Sequence, residues 1–328
     1  MAGPVVHNKF FYDSINESNV DLDIYMKHQK NCNIYSQGHD LLLYIEPWNF
    51  VSNRQVSLLL SNYKFREFIY SYLKNSSEND SLYKDDNISL FIYGYISHHI
   101  LDSYFHPFIM QYCEDYLPVK NKEWIHGRIE TLYDTYFLEK YLNEKASQAK
   151  FYKDFKFTPP EGVELVRNIQ TASVDTYNYN KLGRKMNLSF KTIELFMYLY
   201  RYDANNFKKN LGSLADMIVN IGSKDFFYDE SKLSELSQYM NLSNEEWINI
   251  WTRNSNHPIK SIDNFEEIYA KALETTKNVI NELEEMKKDQ RFKLEDIYDV
   301  VPDRSAITGL ECGRDLPFVK KKRGIRYE

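Results

Sequence analysis

The stretch Gly94-Tyr95-Ile96-Ser97-His98-His99-Ile100-Leu101-Asp102-Ser103-Tyr104-Phe105-His106-Pro107 decides the fold of this chain. His98, Asp102 and His106 are each four residues apart, so they share one face of an α-helix. Most other positions are apolar or aromatic, which predicts a helix buried on all sides. Buried His and Asp side chains are costly unless they are paired, and a metal ion would satisfy all three. The stretch therefore predicts a central helix over residues 88–105, limited by Pro107, that carries metal ligands.

A second segment repeats the pattern in Trp124-Ile125-His126-Gly127-Arg128-Ile129-Glu130-Thr131-Leu132-Tyr133-Asp134. Here His126, Glu130 and Asp134 recur at every fourth position. A His and a carboxylate at this spacing can grip one ion from one face of a helix. Two such helices side by side would gather six ligand-type side chains, which predicts a cluster of two or three ions. Asp134 is equally compatible with a surface position, a capping role or an ion pair with Arg128.

Two neighbours of the first stripe have other expected roles. Gly94 lies one helical turn before His98, and its missing side chain lets another segment approach the backbone. His99 points away from the stripe, so we expect it to pack against the ligands or support them rather than to bind metal.

The composition favours helices. Among 328 residues there are only 11 Gly and 9 Pro, which disfavours a many-turned β-sandwich or barrel. Residues 74–86 have no periodicity and predict an exposed loop. Helical spacing recurs over 7–18, 51–73, 122–142, 163–179, 190–207, 211–221, 232–240, 243–251 and 264–289. We expect an all-α, multi-helical single domain over residues 1–290, with an extended C-terminal tail over residues 291–328 packed on it.

Charge and processing signals narrow the function classes. The net charge is −6, which argues against a dedicated nucleic-acid binder but does not exclude a nucleic acid as substrate. The sequence shows no secretory signal and no transmembrane segment, which predicts a cytoplasmic protein. Three cysteines in an irregular pattern argue against a disulfide framework. The sequence does not predict an oligomeric state.

At its ligand residues the chain resembles the zinc-dependent phospholipase C family of bacteria, whose helical architecture is shared with single-strand-specific zinc nucleases. The family has His-x-x-x-Asp and then His on one helix, and His-x-x-x-Glu on the next. These positions fall here on His98, Asp102, His106, His126 and Glu130. An early-helix His of the family falls on His7, and its Gly-x-Asp loop falls on Gly38-His39-Asp40.

The resemblance implies a zinc-dependent hydrolase of phosphate esters, a phosphodiesterase that uses a metal-activated water. It implies two or three Zn²⁺ ions and places the metal ligands at His7, Asp40, His98, Asp102, His106, His126 and Glu130. Asp40 is either a ligand or the catalytic residue that orients the attacking water. The substrate implied is a phosphate ester, either a phospholipid or a nucleotide or nucleic acid.

One departure from the family keeps alternatives open. Secreted members carry a further His in the helix after the Gly-x-Asp loop, and this chain carries Asn62 there. We therefore expect two ions rather than three, unless His39 substitutes. One alternative is a zinc-dependent nuclease or phosphatase that acts on nucleotides or nucleic acid. Another is a non-catalytic protein that is stabilised by metal in a degenerate cluster.

Overall fold

The computed structural model describes residues 3–45, 50–115, 122–157, 162–203, 207–211, 227–314, 316 and 325. These residues are mostly helical, which confirms the all-α prediction. The α-helices named below are α1 Pro4–Asn16, α2 Leu22–Lys27, α3 Gln29–Tyr35, α4 Phe50–Asn62, α5 Phe65–Glu78, α6 Ser81–Lys84, α7 Asp86–Asp115, α8 Lys122–Leu142, α9 Gly162–Tyr177, α10 Leu182–Tyr200, α11 Phe265–Lys288 and α12 Leu294–Val300. Short 3-10 helices span Gly38–Tyr44, Phe151–Phe155, Glu230–Tyr239 and Ile250–Thr252.

Strand structure in the described residues is limited to one antiparallel pair, Trp247–Ile248 with Lys260–Ser261. Trp247 lies opposite Ser261, and Ile248 lies opposite Lys260. This pair replaces the helix that the sequence predicts over residues 243–251. The pair is too short to form a separate layer, so the architecture stays helical.

Helix α7 occupies the centre of the molecule, as predicted. It packs against α1, α3, α8 and α11, and its apolar side chains, such as Phe91, Ile96 and Leu101, are buried. Its apolar character comes from this position inside the protein. Among the described residues, no helix combines the length and apolarity that a membrane crossing requires.

The prediction that Pro107 limits the central helix is wrong, because α7 continues to Asp115. Proline lacks the N–H that would bond the carbonyl four residues earlier, here that of Ser103. Instead, the guanidinium of Arg304 donates a hydrogen bond to the Ser103 oxygen at 3.3 Å and lies over the Tyr104 ring at 4.1 Å. A distant segment thus supplies the hydrogen bond that the proline cannot make.

Several predicted boundaries also move. The helix predicted over residues 51–73 is two helices, because Lys64 adopts a left-handed backbone with φ of 51° between α4 and α5. The loop predicted over residues 74–86 contains the end of α5 and all of α6. Residues 232–240 lie in a 3-10 helix rather than an α-helix. The helix predicted over residues 211–221 lies, apart from its first residue, outside the described residues.

The C-terminal region is more structured than predicted. It contains α12, followed by residues 301–314, which we call the C-terminal loop. This loop reaches the end of α4, where the Ala306 amide donates to the Ser61 carbonyl at 2.9 Å. Apart from 316 and 325, the residues after 314 lie outside the described part of the chain.

Candidate metal centre

The structure brings all seven predicted ligands together where α1, Gly38–Tyr44, α7 and α8 meet. They form three groups, and within each group the ligand atoms lie within 4.8 Å of one another. The groups are His7, His98 and Asp102; His39, Asp40 and His98; and His106, His126 and Glu130. We call the first two groups, which share His98, the inner centre, and the third group the outer centre. His39 thus joins the predicted ligands.

The inner centre is closed to solvent, since each of its five side chains is at most 3% exposed. Asp102 lies at its middle, with Oδ1 3.3 Å from His7 Nε2 and Oδ2 3.4 Å from His98 Nε2. Asp40 Oδ2 lies 3.8 Å from His98 Nε2, and Asp40 Oδ1 lies 3.2 Å from His39 Nδ1. Two carboxylates and three imidazoles therefore converge on one small volume.

Gly94 orients the His98 ring through the close approach that the sequence predicts. A Cβ at position 94 would lie only 2.9 Å from the Tyr35 backbone, so only glycine lets the end of α3 pack here. This packing brings the Ser36 carbonyl to 3.1 Å from His98 Nδ1. The Nδ1–H of His98 donates to that carbonyl, which leaves Nε2 to face the inner centre.

Several inner-centre nitrogens are suited to a cation. Both ring nitrogens of His7, and the Nε2 atoms of His39 and His98, have no hydrogen-bond partner among the described residues. Burial and the neighbouring His7 hold the pKa of His98 well below its usual value, so its ring is neutral, the form that binds metal. Buried lone pairs of this kind are costly unless a cation takes them up, so the donor set fits a divalent metal.

The two aspartates of the inner centre respond differently to burial. Burial raises the pKa of Asp40, and the nearby Asp102 carboxylate raises it further. Burial alone would also raise the pKa of Asp102, but His98 and His7 help to hold it well below the usual value. Two carboxylates this close repel each other, and a cation between them would relieve that repulsion.

The outer centre is partly open. The His126 side chain is 21% exposed, and its Nε2 lies 2.7 Å from Glu130 Oε1. His106 lies close by, with 5.1 Å between the His106 and His126 ring centroids. Burial alone would raise the pKa of Glu130, but His126 helps to hold it below its ordinary value. His126 therefore marks the side of the cluster that a solvent-borne molecule can reach.

Comparison with known proteins adds no family to this geometry. No protein-family model, no curated protein and no solved structure matches the chain. The chemistry of the two centres is therefore inferred from their own side chains.

Asp134 belongs to none of the three ligand groups and caps a neighbouring helix instead. It is fully buried, and its Oδ1 accepts the N–H groups of Val5 and Val6 at 3.0 and 3.1 Å. Its Oδ2 accepts the Tyr228 hydroxyl at 3.1 Å. Burial raises the pKa of Asp134 to about 7. Of the roles that the sequence left open, the structure shows the capping role, which ties α1 and its His7 to α8.

His99 packs beside the inner centre, as predicted. Its ring stacks on Phe65 with centroids 3.4 Å apart, and its Nε2–H donates to the Arg304 carbonyl at 2.7 Å. Burial lowers the pKa of His99 to about 3, so the ring is neutral at pH 7.

The carbonyls that hold the histidine rings could not be found from the sequence. His98 bonds to Ser36, and His106 Nδ1 bonds to the Ala306 carbonyl. Every residue except the chain ends carries such a carbonyl, so side-chain patterns give no signal for its use as a support.

Proposed function

We propose that the protein is a zinc-dependent hydrolase of phosphate esters, of the kind that the resemblance to zinc-dependent phospholipases C implies. The observation that carries the proposal is the placement of the inner and outer centres side by side along α7. Asp102 Oδ2 lies between them, 3.4 Å from His98 Nε2 and 3.9 Å from His106 Nδ1. Neighbouring cation sites of this kind suit a phosphate, whose oxygens can bind both ions at once.

The hydrogen bonds support two ions rather than three. His98 donates from Nδ1 to Ser36, so only the lone pair on Nε2 remains for a metal. The two groups that share His98 therefore describe one ion in the inner centre. His106, His126 and Glu130 hold the second ion, in the outer centre.

When bound, zinc would polarise the phosphate, activate a water molecule and offset the negative charge of the transition state. Asp40 is the residue placed to hold a proton of the attacking water, or to ligate. Its Oδ1 is engaged by His39, whereas Oδ2 faces His98 across 3.8 Å. The half-exposed His126 gives the substrate its approach to the outer centre.

A phospholipid or another small phosphodiester fits the chain better than a long nucleic acid. The net charge of −6 provides no extended positive field to neutralise successive phosphates. The zinc-dependent nuclease reading is accordingly an outcome of the assay below rather than the leading proposal.

A non-catalytic, metal-stabilised protein is the second candidate, and Asn62 favours it. The Asn62 side chain is buried and donates to the Arg314 carbonyl at 2.9 Å. The Asn62 backbone carbonyl accepts the Gly313 amide at 2.7 Å. The position where secreted family members carry a His is thus engaged by the C-terminal loop, which leaves a smaller cluster.

Elemental analysis and a substrate panel together test the proposal. We expect about two zinc ions per chain, and hydrolysis of phosphatidylcholine analogues or p-nitrophenyl phosphodiesters. H126A and E130Q should each lose one ion and the activity. H257A, at an exposed histidine outside all three ligand groups, should keep both.

The other outcomes separate the alternatives. Less than about one metal equivalent in the purified, metal-loaded protein contradicts a metal-dependent function altogether. Two ions without turnover favour the metal-stabilised alternative. Hydrolysis of single-stranded DNA or RNA alone favours the nuclease.

A further inference from the structure

The C-terminal loop is buried to a degree that is unusual for a connecting segment. Ser305, Ala306 and Thr308 are each at most 1% exposed. The loop folds on itself through a bond from the Ser305 amide to the Leu310 carbonyl at 2.7 Å, and one from the Gly309 amide to the Ser305 carbonyl at 2.9 Å. Loops usually lie on the surface because their backbone groups need water. Other parts of the protein must therefore bond this loop.

Two carbonyls of the loop bond to histidines of α7. The Arg304 carbonyl accepts His99 Nε2–H, and the Ala306 carbonyl accepts His106 Nδ1–H. Ala306 is itself held from the opposite side, since its amide donates to the Ser61 carbonyl on α4. The carbonyl that meets His106 is therefore fixed in place, not free to follow the ring.

The loop also supports the turn of α7 that carries His106. That turn is weakened because Pro107 cannot bond the Ser103 carbonyl. Arg304 makes this bond instead, at 3.3 Å. The same short segment thus bonds both the backbone before His106 and the His106 ring.

We propose that the C-terminal loop is a positioning element of the outer centre. The Ala306 carbonyl fixes the tautomer of His106 and turns Nε2 towards His126 and Glu130, so the loop sets the affinity and geometry of that one ion. The proposal rests on the metal-dependent function proposed above. Groups that orient a ligating histidine in this way typically change metal affinity by 10- to 100-fold when lost.

Two glycines of the loop provide a matched pair of variants. Gly309 has φ of 65°, and a Cβ there would lie 2.6 Å from the Ser103 carbonyl oxygen and 2.7 Å from Pro107 Cγ. Gly313 has φ of 85°, but a Cβ there would meet nothing within 4 Å. G309A therefore adds backbone strain and pushes the loop away from α7, whereas G313A adds backbone strain alone.

The test loads wild type, G309A and G313A with Co²⁺ as a spectroscopic substitute for zinc. Absorption spectra report the geometry of each ion, and competition with a chelator reports affinity. We expect G309A to weaken one of the two ions by about 10- to 100-fold and to change its absorption bands. G313A should keep both ions within about twofold of wild type.

A second variant covers the case in which G309A does not fold. The Asn249 side chain donates to the Thr308 carbonyl at 2.9 Å and accepts the Trp251 amide at 3.1 Å. N249D keeps the acceptor and loses the donor, so it loosens the loop without adding a side chain to it. We expect the same ion to weaken, by less than in G309A.

Unchanged spectra and affinities in both G309A and N249D would overturn the proposal while leaving the metal-dependent function intact. Equal weakening in G309A and G313A would also overturn it, since strain alone would then explain the effect. A wild-type protein that binds no cobalt or zinc would instead refute the proposed function, and the role of the loop with it.

Discussion

The buried carboxylate of Asp134 gives the most quantitative prediction. It holds the start of α1 through the Val5 and Val6 amides and also accepts the Tyr228 hydroxyl. Asp134→Ala would leave these three donors without their acceptor. A buried donor left unbonded costs about 1–3 kcal/mol, so D134A should lower the free energy of unfolding by about 4 kcal/mol. D134N keeps an oxygen for the two amides and should lose about 1 kcal/mol or less.

Urea unfolding at fixed pH measures this difference. With a slope of about 3 kcal/mol per molar urea, D134A should lower the midpoint by about 1.3 M. Asp299→Ala, at an exposed residue of α12, is the control and should change stability by at most about 0.5 kcal/mol. Because α1 carries His7, D134A should also weaken the ion of the inner centre more than D134N does.

Two results would refute this reasoning about Asp134. If D134A unfolded within about 1 kcal/mol of wild type, the carboxylate would not be holding α1. If D134N kept its stability but lost an ion, Asp134 would be a metal ligand rather than a cap.

Three further predictions concern acid sensitivity, metal binding and helix capping. Because the folded-state pKa of His99 is lowered to about 3, the unfolded state binds more protons between about pH 6.5 and 3, so stability falls as the pH falls through that window. H99F should remove up to about 1.4 kcal/mol of this loss per pH unit in urea titrations, and identical pH slopes would contradict it. Zinc at a hundred times its dissociation constant should raise the free energy of unfolding by about 2.7 kcal/mol, and a melting curve that EDTA leaves unchanged would count against a metal site. Asn264 accepts the Glu267 amide at 3.0 Å at the start of α11, so N264A should cost about 1 kcal/mol in urea unfolding with no change in metal content, whereas no loss would show the cap to be dispensable.

The candidate ligands were accessible from the sequence because helical spacing is a local property. Residues four apart share a face whatever surrounds the helix, so the stripes on α7 and α8 indicate ligand sets before any packing is known. Gly94 carried a similar local signal, and the approach of α3 confirms it. The capping box at Asn264 and Glu267 likewise lies within one turn of chain.

The errors arise where distant residues override a local rule. Pro107 should end a helix, and it does not because Arg304 bonds the freed carbonyl from far along the chain. The break between α4 and α5 falls at Lys64, with no Gly or Pro to announce it. His39 entered the ligand groups through the fold of Gly38–Tyr44, since no helical stripe contains it. Patterns within one element do not encode such contacts.

The bond between His106 and the Ala306 carbonyl also has a consequence for biosynthesis. All the side chains of the outer centre leave the ribosome well before Ala306 does, because His106, His126 and Glu130 precede it by most of the chain length. A nascent chain would therefore display every ligand while lacking the support that aims one of them. Maturation of that centre is then a late event, completed only when the last part of the polypeptide folds back onto helices made long before.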